Sequence, residues 1–203
     1  MKKWMSLFDL CPIRPSEQKE RAARITAMSY LRDCQDKEQR MEKQLLNTGE
    51  YILLRGKDIY NGLLQRIETN PVSRITGRAI VDLYNSVPKS YRKNAVFLMN
   101  TVTLNELSRS LGVDRNLLSG RDDGTFMLMD QPIVLCNAMP FISKGSVPIL
   151  FGDFGKVSIE DCGRDELQQE PCEGNPGTQQ YTLTGYMDCM LEEQLAVRGI
   201  KVV

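Results

Sequence analysis

The stretch VPILFGDFGKVSIEDCG, residues 147–163, poses the first question. It contains Asp153-Phe154-Gly155, the tripeptide by which protein kinases hold magnesium, inside what reads as two short strands around a corner. A kinase also needs a glycine-rich phosphate loop, a strand lysine, and a catalytic Asp with a downstream Asn. None of these precedes Asp153, and the chain contains no histidine. The physical reading is architectural: the apolar strand Ile149-Leu150-Phe151 enters, and Gly152 and Gly155 permit a tight corner. Asp153 accepts backbone hydrogen bonds there, and Phe154 is buried beside it. The expected structural corner is Gly152, Asp153, Phe154 and Gly155.

Composition narrows the function further. The 203 residues carry 26 basic and 26 acidic side chains, with 41% apolar residues. That is near the globular average and does not suit a strongly electrostatic partner such as duplex DNA for the chain as a whole. The absence of histidine removes Ser-His-Asp and Cys-His catalysis together with histidine metal sites. Six cysteines remain, with no Cys-x-x-Cys pair, so zinc and thioredoxin-like chemistry are not expected. No secretory leader or membrane-length apolar run is visible, which predicts free thiols in a cytosolic protein.

Other enzymatic signatures fail on inspection. Gly56-Lys57 is followed by Asp58 rather than the hydroxyl of a phosphate loop. The adjacent carboxylates Asp122-Asp123, Glu160-Asp161 and Glu192-Glu193 point to opposite sides of an extended chain, so neither member of a pair is placed to share a proton. The chain is read as a non-enzyme with no cofactor or metal.

Outward from the opening stretch, residues 1–24 read as an extended arm. From about Ala27 to Leu54, Leu31, Cys34, Met41, Leu45 and Ile52 recur at helical spacings, which predicts one amphipathic helix of about seven turns. Gly56 and Gly62 read as turn points, and Asn70-Pro71 as the opening of the next unit. Ile75, Ala79, Ile80, Leu83 and Tyr84 share a helical face that Pro88 closes. NAVFLMN (94–100) reads as a buried strand. A helix follows over 103–112, with Thr101 or Thr103 as N-cap, Glu106 completing a capping box and Gly112 at its end. NLLSGRDDGTF reads as a turn or flexible loop, and MLMDQPIVLCNAMP as a strand broken at Asp130-Gln131-Pro132. QQEPCEGNPGTQQ reads as a loop, and the C-terminal stretches as strands around a turn at Arg198-Gly199. The fold class is α+β.

Charge is unevenly spread. Residues 86–121 hold six bases against two acids, whereas residues 149–193 hold ten acids against Lys156 and Arg164. These are either solvated faces or complementary patches that steer self-assembly.

As an ordered series the segments resemble the major capsid proteins of tailed bacteriophages, the Hong Kong 97 fold. Met28-Ser29-Tyr30-Leu31-Arg32-Asp33 and the helix after it are similar to the family's long spine helix. Leu54-Arg55-Gly56-Lys57-Asp58 with Gly62-Leu63 is similar to its exit. Tyr91, Asn94 and Ala95, then Met99-Asn100, resemble the lead into the axial domain. Leu128, Pro132, Ile133 and Val134, with Met139-Pro140 after them, are similar to a "Leu-x-Gly-x-Pro-Val" strand whose glycine is Asp130 here. Ile149, Gly152, Asp153 and Phe154 are similar to the family's "Ile-x-x-Gly-Asp-Phe" corner.

The resemblance implies a Hong Kong 97-like fold with a long spine helix, a peripheral-domain sheet and an axial α/β domain. Its divisions fall at 1–26 (N-terminal arm or remnant), 27–70 (spine helix and exit turn), 71–148 (axial domain) and 149–203 (return strands). The spine, Leu31 to Ile52, is expected to pack on the strands formed after Ile149. The resemblance also implies a structural protein of the virion, assembling in the host cytoplasm. It would form pentamers and hexamers of itself, with other phage head proteins as partners, DNA packaged only non-specifically, and no membrane. The loop Ser119, Gly120, Arg121, Asp122, Asp123 and Gly124 is the candidate ring-centre contact, or else an ordinary surface loop. About 26 residues before the spine are too few for both an arm and a long hairpin, so either an N-terminally reduced member or one without the lattice-forming hairpin is expected. An encapsulin-like compartment shell and a non-assembling cytosolic interaction protein are the competing readings.

Overall fold

The computed structural model describes residues 13–15, 51, 53–56, 62–110, 117–120, 125–161, 166–171, 179–184 and 187–203. Most of the expected spine helix, Gly112 and Arg121–Gly124 lie outside the described residues. Residues 51 and 53–55 are helical.

The opening stretch is where the chain passes from one sheet to another. β7 (Ile149–Gly152) lies inside a seven-stranded sheet. A one-turn 3-10 helix over Phe154–Lys156 follows it. β8 (Val157–Asp161) then belongs to a three-stranded sheet with β1 (Ile13–Pro15) and β11 (Met187–Leu191). The return passage runs beside the first. β11 pairs antiparallel with β8, residues 192–196 turn, and β12 (Val197–Val202) pairs antiparallel with β7. Arg198-Gly199, expected at a turn, therefore lies inside β12. Packing is tight at that glycine: a Cβ there would stand 2.8 Å from Val147 Cγ1 and 2.9 Å from Leu150 Cδ2, so those side chains would have to shift.

The large sheet has the order β2-β12-β7-β3-β6-β5-β4, with β2 at Glu68–Val72, β3 at Val96–Met99, β4 at Leu118–Gly120, β5 at Phe126–Leu128 and β6 at Gln131–Leu135. Its central strands are apolar on both faces, as layered burial requires. On β3, Leu98 faces one core while Phe97 and Met99 face the other; on β7, Leu150 faces the first, and Ile149 and Phe151 the second. The first core collects Leu53, Leu54, Leu63, Val157, Ile159 and Cys189, so the end of the helix before Gly56 packs against β8 and β11. Beneath the second lie α2 (Gly77–Ser86) and α4 (Thr101–Ser110). Two one-turn helices, α1 (Leu63–Arg66) and α3 (Lys89–Arg92), link these pieces.

α2 forms where its spacing predicts. Ala79, Ile80 and Leu83 are buried, and the Thr76 side chain accepts from the Ala79 N–H at 3.3 Å. α4 departs from expectation at its start. Its cap is Asn100, whose Oδ1 accepts from the Thr103 N–H at 2.7 Å. Thr101 and Thr103 lie within the helix, so Glu106 has no capping box to complete. Asn70 and Pro71, read as opening a new unit, lie inside β2. The strand break at Asp130 is a two-residue hairpin turn in which Met129 and Asp130 both have positive φ, 51° and 60°. This is the backbone of a type I′ connection. Of the loop expected over 168–180, residues 168–171 and 179–180 lie instead in the paired strands β9 (Glu166–Pro171) and β10 (Gln179–Thr184), a two-stranded antiparallel sheet.

Candidate assembly surface

The corner between the sheets is held by main-chain and side-chain bonds together. Asp153 Oδ1 accepts from the Gly155 N–H at 3.0 Å, the Asp153 N–H donates to Ala196 O at 3.0 Å, and the Glu192 N–H donates to Lys156 O at 2.9 Å. Phe154 is buried at 2% exposure. The corner is thus tied at both ends to the return passage.

A three-residue brace covers it. The Lys156 ammonium lies 2.7 Å from Glu193 Oε1, and the Tyr91 hydroxyl donates to Glu193 Oε2. Hydrogen bonds from Lys156 and then Tyr91 hold the Glu193 carboxyl below its ordinary value of 4.5. The hydrogen bond to Glu193 raises Lys156 and is the main cause of the rise at Tyr91. A depressed carboxyl stabilises the fold above its ordinary range and loses that contribution as pH falls through its folded value. The raised Lys156 and Tyr91 contribute fully below about 10 and lose their share at still higher pH. Glu193→Gln is therefore expected to flatten the acid-side fall in melting temperature below about pH 5. Thermal melts across that range check this, and an unchanged acid limb would show that the brace is not linked to stability.

Asn100, 3% exposed, does two jobs at once. Besides capping α4, its Nδ2 donates to Met139 O at 3.0 Å and Pro140 O at 2.9 Å, pinning the segment after β6 against the helix start. Asn100→Ala removes the cap and orphans two carbonyls. The expected cost is about 2–3 kcal/mol, measurable by urea denaturation. Asn100→Asp, which keeps the cap and loses the donors, is expected to fall between.

Beside this pin, Phe141 and Val102 are exposed at 59% and 45%. Of the candidate ring-centre loop, Ser119 and Gly120 lie exposed in β4, which pairs with β5 alone among the described strands. Arg121–Gly124 lie outside the described residues. At the opposite margin, the Val72 carbonyl accepts from the Val203 N–H at 2.9 Å, so by alternation Thr69 and Pro71 turn their backbone outward. Proline at an outward position loses no ladder bond and offers no donor to a passing strand. The two margins differ accordingly: one is blunted, and the other ends at the candidate loop.

Among the described residues no cluster of His, Cys, Asp and Glu could hold a metal ion, and no helix is long and apolar enough to cross a membrane. Cys136 and Cys189 are buried. The Cys189 thiol donates to Leu53 O at 3.4 Å, a packing role.

The chain is similar in structure to the capsid of an empty GTA particle computed with C5 symmetry, at 20% identity and a TM-score of 0.56, covering 80% of this chain and 64% of that one. The holo-SrpI encapsulin complex from Synechococcus elongatus PCC 7942 is similar at 14% identity and a TM-score of 0.62, with 84% and 66% covered. The satellite phage P4 procapsid including its size determination protein is similar at 13% identity and 0.51, with 87% and 66% covered. The chain thus spans just under two thirds of the length of these structures. No curated protein matches it in sequence.

The architecture is the Hong Kong 97-like capsid fold. A family model, described as the phage capsid family, matches residues 40–192, well over half of the sequence. The chain belongs to the phage capsid family.

Proposed function

We propose that the chain is a non-enzymatic structural subunit that associates with itself into rings, pentamers and hexamers, and closes these into the icosahedral shell of a virion around DNA. The observation that carries this reading is the family match over residues 40–192. The Hong Kong 97-like fold and the two unlike sheet margins support it. Repetition of one heterologous contact closes into rings when the rotation permits. In this reading Ser119–Gly124 lies at the ring centre, and the corner Gly152–Gly155 sets the angle between the two sheets. Other phage head proteins are its further partners, assembly takes place in the host cytoplasm, and DNA is enclosed without base-specific contacts.

The test is particle size of the purified chain by light scattering and negative-stain microscopy. Rings or closed shells support the reading, and a strict monomer at high concentration overturns it. The likeness to the encapsulin complex at a TM-score of 0.62 favours a second reading, a compartment shell that holds protein. The contents separate the two: nuclease-protected nucleic acid marks a virion head, and co-purifying protein cargo with no nucleic acid marks a compartment.

A further inference from the structure

A cavity of about 440 Å³ opens on the face of the large sheet opposite α2 and α4, lined in part by Arg55, Gln65, Thr69, Ser146 and Lys201. Among the described residues its polar lining carries two cations and no acid. Arg55 is set in place: its Nε donates to Ala138 O at 2.7 Å and its Nη1 to Tyr51 Oη at 3.1 Å, with the guanidinium 4.5 Å from the Tyr51 ring centroid. Of the five N–H donors of a guanidinium, three are left for a ligand. Lys201 is exposed and makes no ion pair among the described residues. Glu68, the acid on the neighbouring strand, pairs with Arg198. Those two residues are in register, and by alternation their side chains leave the sheet on the face opposite Lys201. Two cations with no counter-ion among the described residues raise the local potential of the cavity and select for a carboxylate or phosphate.

The walls decide between these. Leu64, Ile67, Val147 and Pro140 complete the lining, an apolar surround that fits a peptide carrying acidic side chains better than a sugar-phosphate backbone. The chain itself supplies such a segment. Residues 160–173 contain six acids and one base, with Glu160 and Asp161 on β8 and Glu166 and Glu170 on β9.

We propose that the Arg55–Lys201 cavity receives the acidic β8–β9 segment of a second copy of this chain. The assignment rests on the self-assembly reading and names a contact within it. Lys201 is the cation to test, because Arg55 also holds Ala138 and its loss would disturb the fold.

The experiment uses full-length chain in four forms: unmodified, Lys201→Glu, Glu166→Lys with Glu170→Lys, and all three changes together. Sedimentation velocity at low and high salt follows association. Poly-L-glutamate and single-stranded oligothymidylate serve as probes of the cavity. Lys201→Glu and the double variant are each expected to weaken association about tenfold, and the triple charge swap to restore much of it. High salt is expected to weaken association of the unmodified chain, and poly-L-glutamate binding is expected to be lost in Lys201→Glu. Equal association of Lys201→Glu and the unmodified chain overturns the proposal, as does a triple variant no better than its parents. Oligothymidylate binding that needs Lys201, without poly-L-glutamate binding, overturns it in favour of nucleic acid. A monomeric unmodified chain overturns the shell reading; the cavity's preference for acidic peptide then stands if Lys201→Glu abolishes poly-L-glutamate binding and falls if it does not.

Discussion

Gly152→Ala is expected to abolish the cooperative thermal transition of the chain. At this position, φ +157°, a Cβ would stand 2.6 Å from Val197 Cα and closer still to Ala196 O. Both are backbone atoms of the return passage, and neither can rotate away as a side chain would. Overpacking of a core costs about 1–3 kcal/mol, and an unfavourable backbone conformation about 1–3 kcal/mol more. Together, at about 2–6 kcal/mol, these reach the lower end of a total stability of about 5–15 kcal/mol. Circular dichroism melts check it, with Gly145→Ala as the control. Gly145 also has positive φ, +85°, but nothing lies within 4 Å of a Cβ there. It is expected to lose only about 1 kcal/mol. Equal losses at the two sites would show that the close approach of the passages is not what requires Gly152.

Phe151→Ala is expected to be the most costly truncation in the core beneath α2 and α4. Phe151 is fully buried and lies directly opposite Phe97 in the β3–β7 pairing. Their ring centroids are 4.3 Å apart, and Tyr84 of α2 stacks on Phe151 at 5.3 Å. Removing the ring leaves a cavity where two strands and a helix meet, at a cost of about 3–5 kcal/mol. That lowers the melting temperature by roughly 10 °C or more. Differential scanning calorimetry measures it. Phe151→Leu is expected to lose much less, because most of the volume is kept. If the two variants melt together, aromatic stacking rather than filled volume holds the site.

How much of this was legible in the sequence depended on the reach of each interaction. The corner could be read because Asp153 bonds the amide two residues on, so its chemistry is written locally. α2 could be read because its buried face repeats at 3.6 residues. The cap of α4 could not. Asn100 was hidden at the end of a strand, and its amide serves carbonyls 39 and 40 residues away. Two threonines beside it offered a plausible local substitute. Gly199 misled because glycine marks turns in a one-dimensional reading, whereas here it makes room for Val147 and Leu150. The Tyr91–Glu193 bond spans 102 residues and leaves no periodic trace. Nor does the cavity, whose two cations lie on α-helical and β-strand segments far apart in the chain. The capsid resemblance was legible as an order of short motifs, a signal carried by no single one of them.

The paired passages between the sheets have a mechanical meaning as well. Two strands of backbone lying side by side resist torsion and yield to bending about one line, as a strap hinge does. That line runs across residues 152–156 and 192–197. Tyr91, Lys156 and Glu193 span it as a stay, and the first core, which joins Leu98 and Leu150 of one sheet to Val157 and Ile159 of the other, resists tilting across the same line.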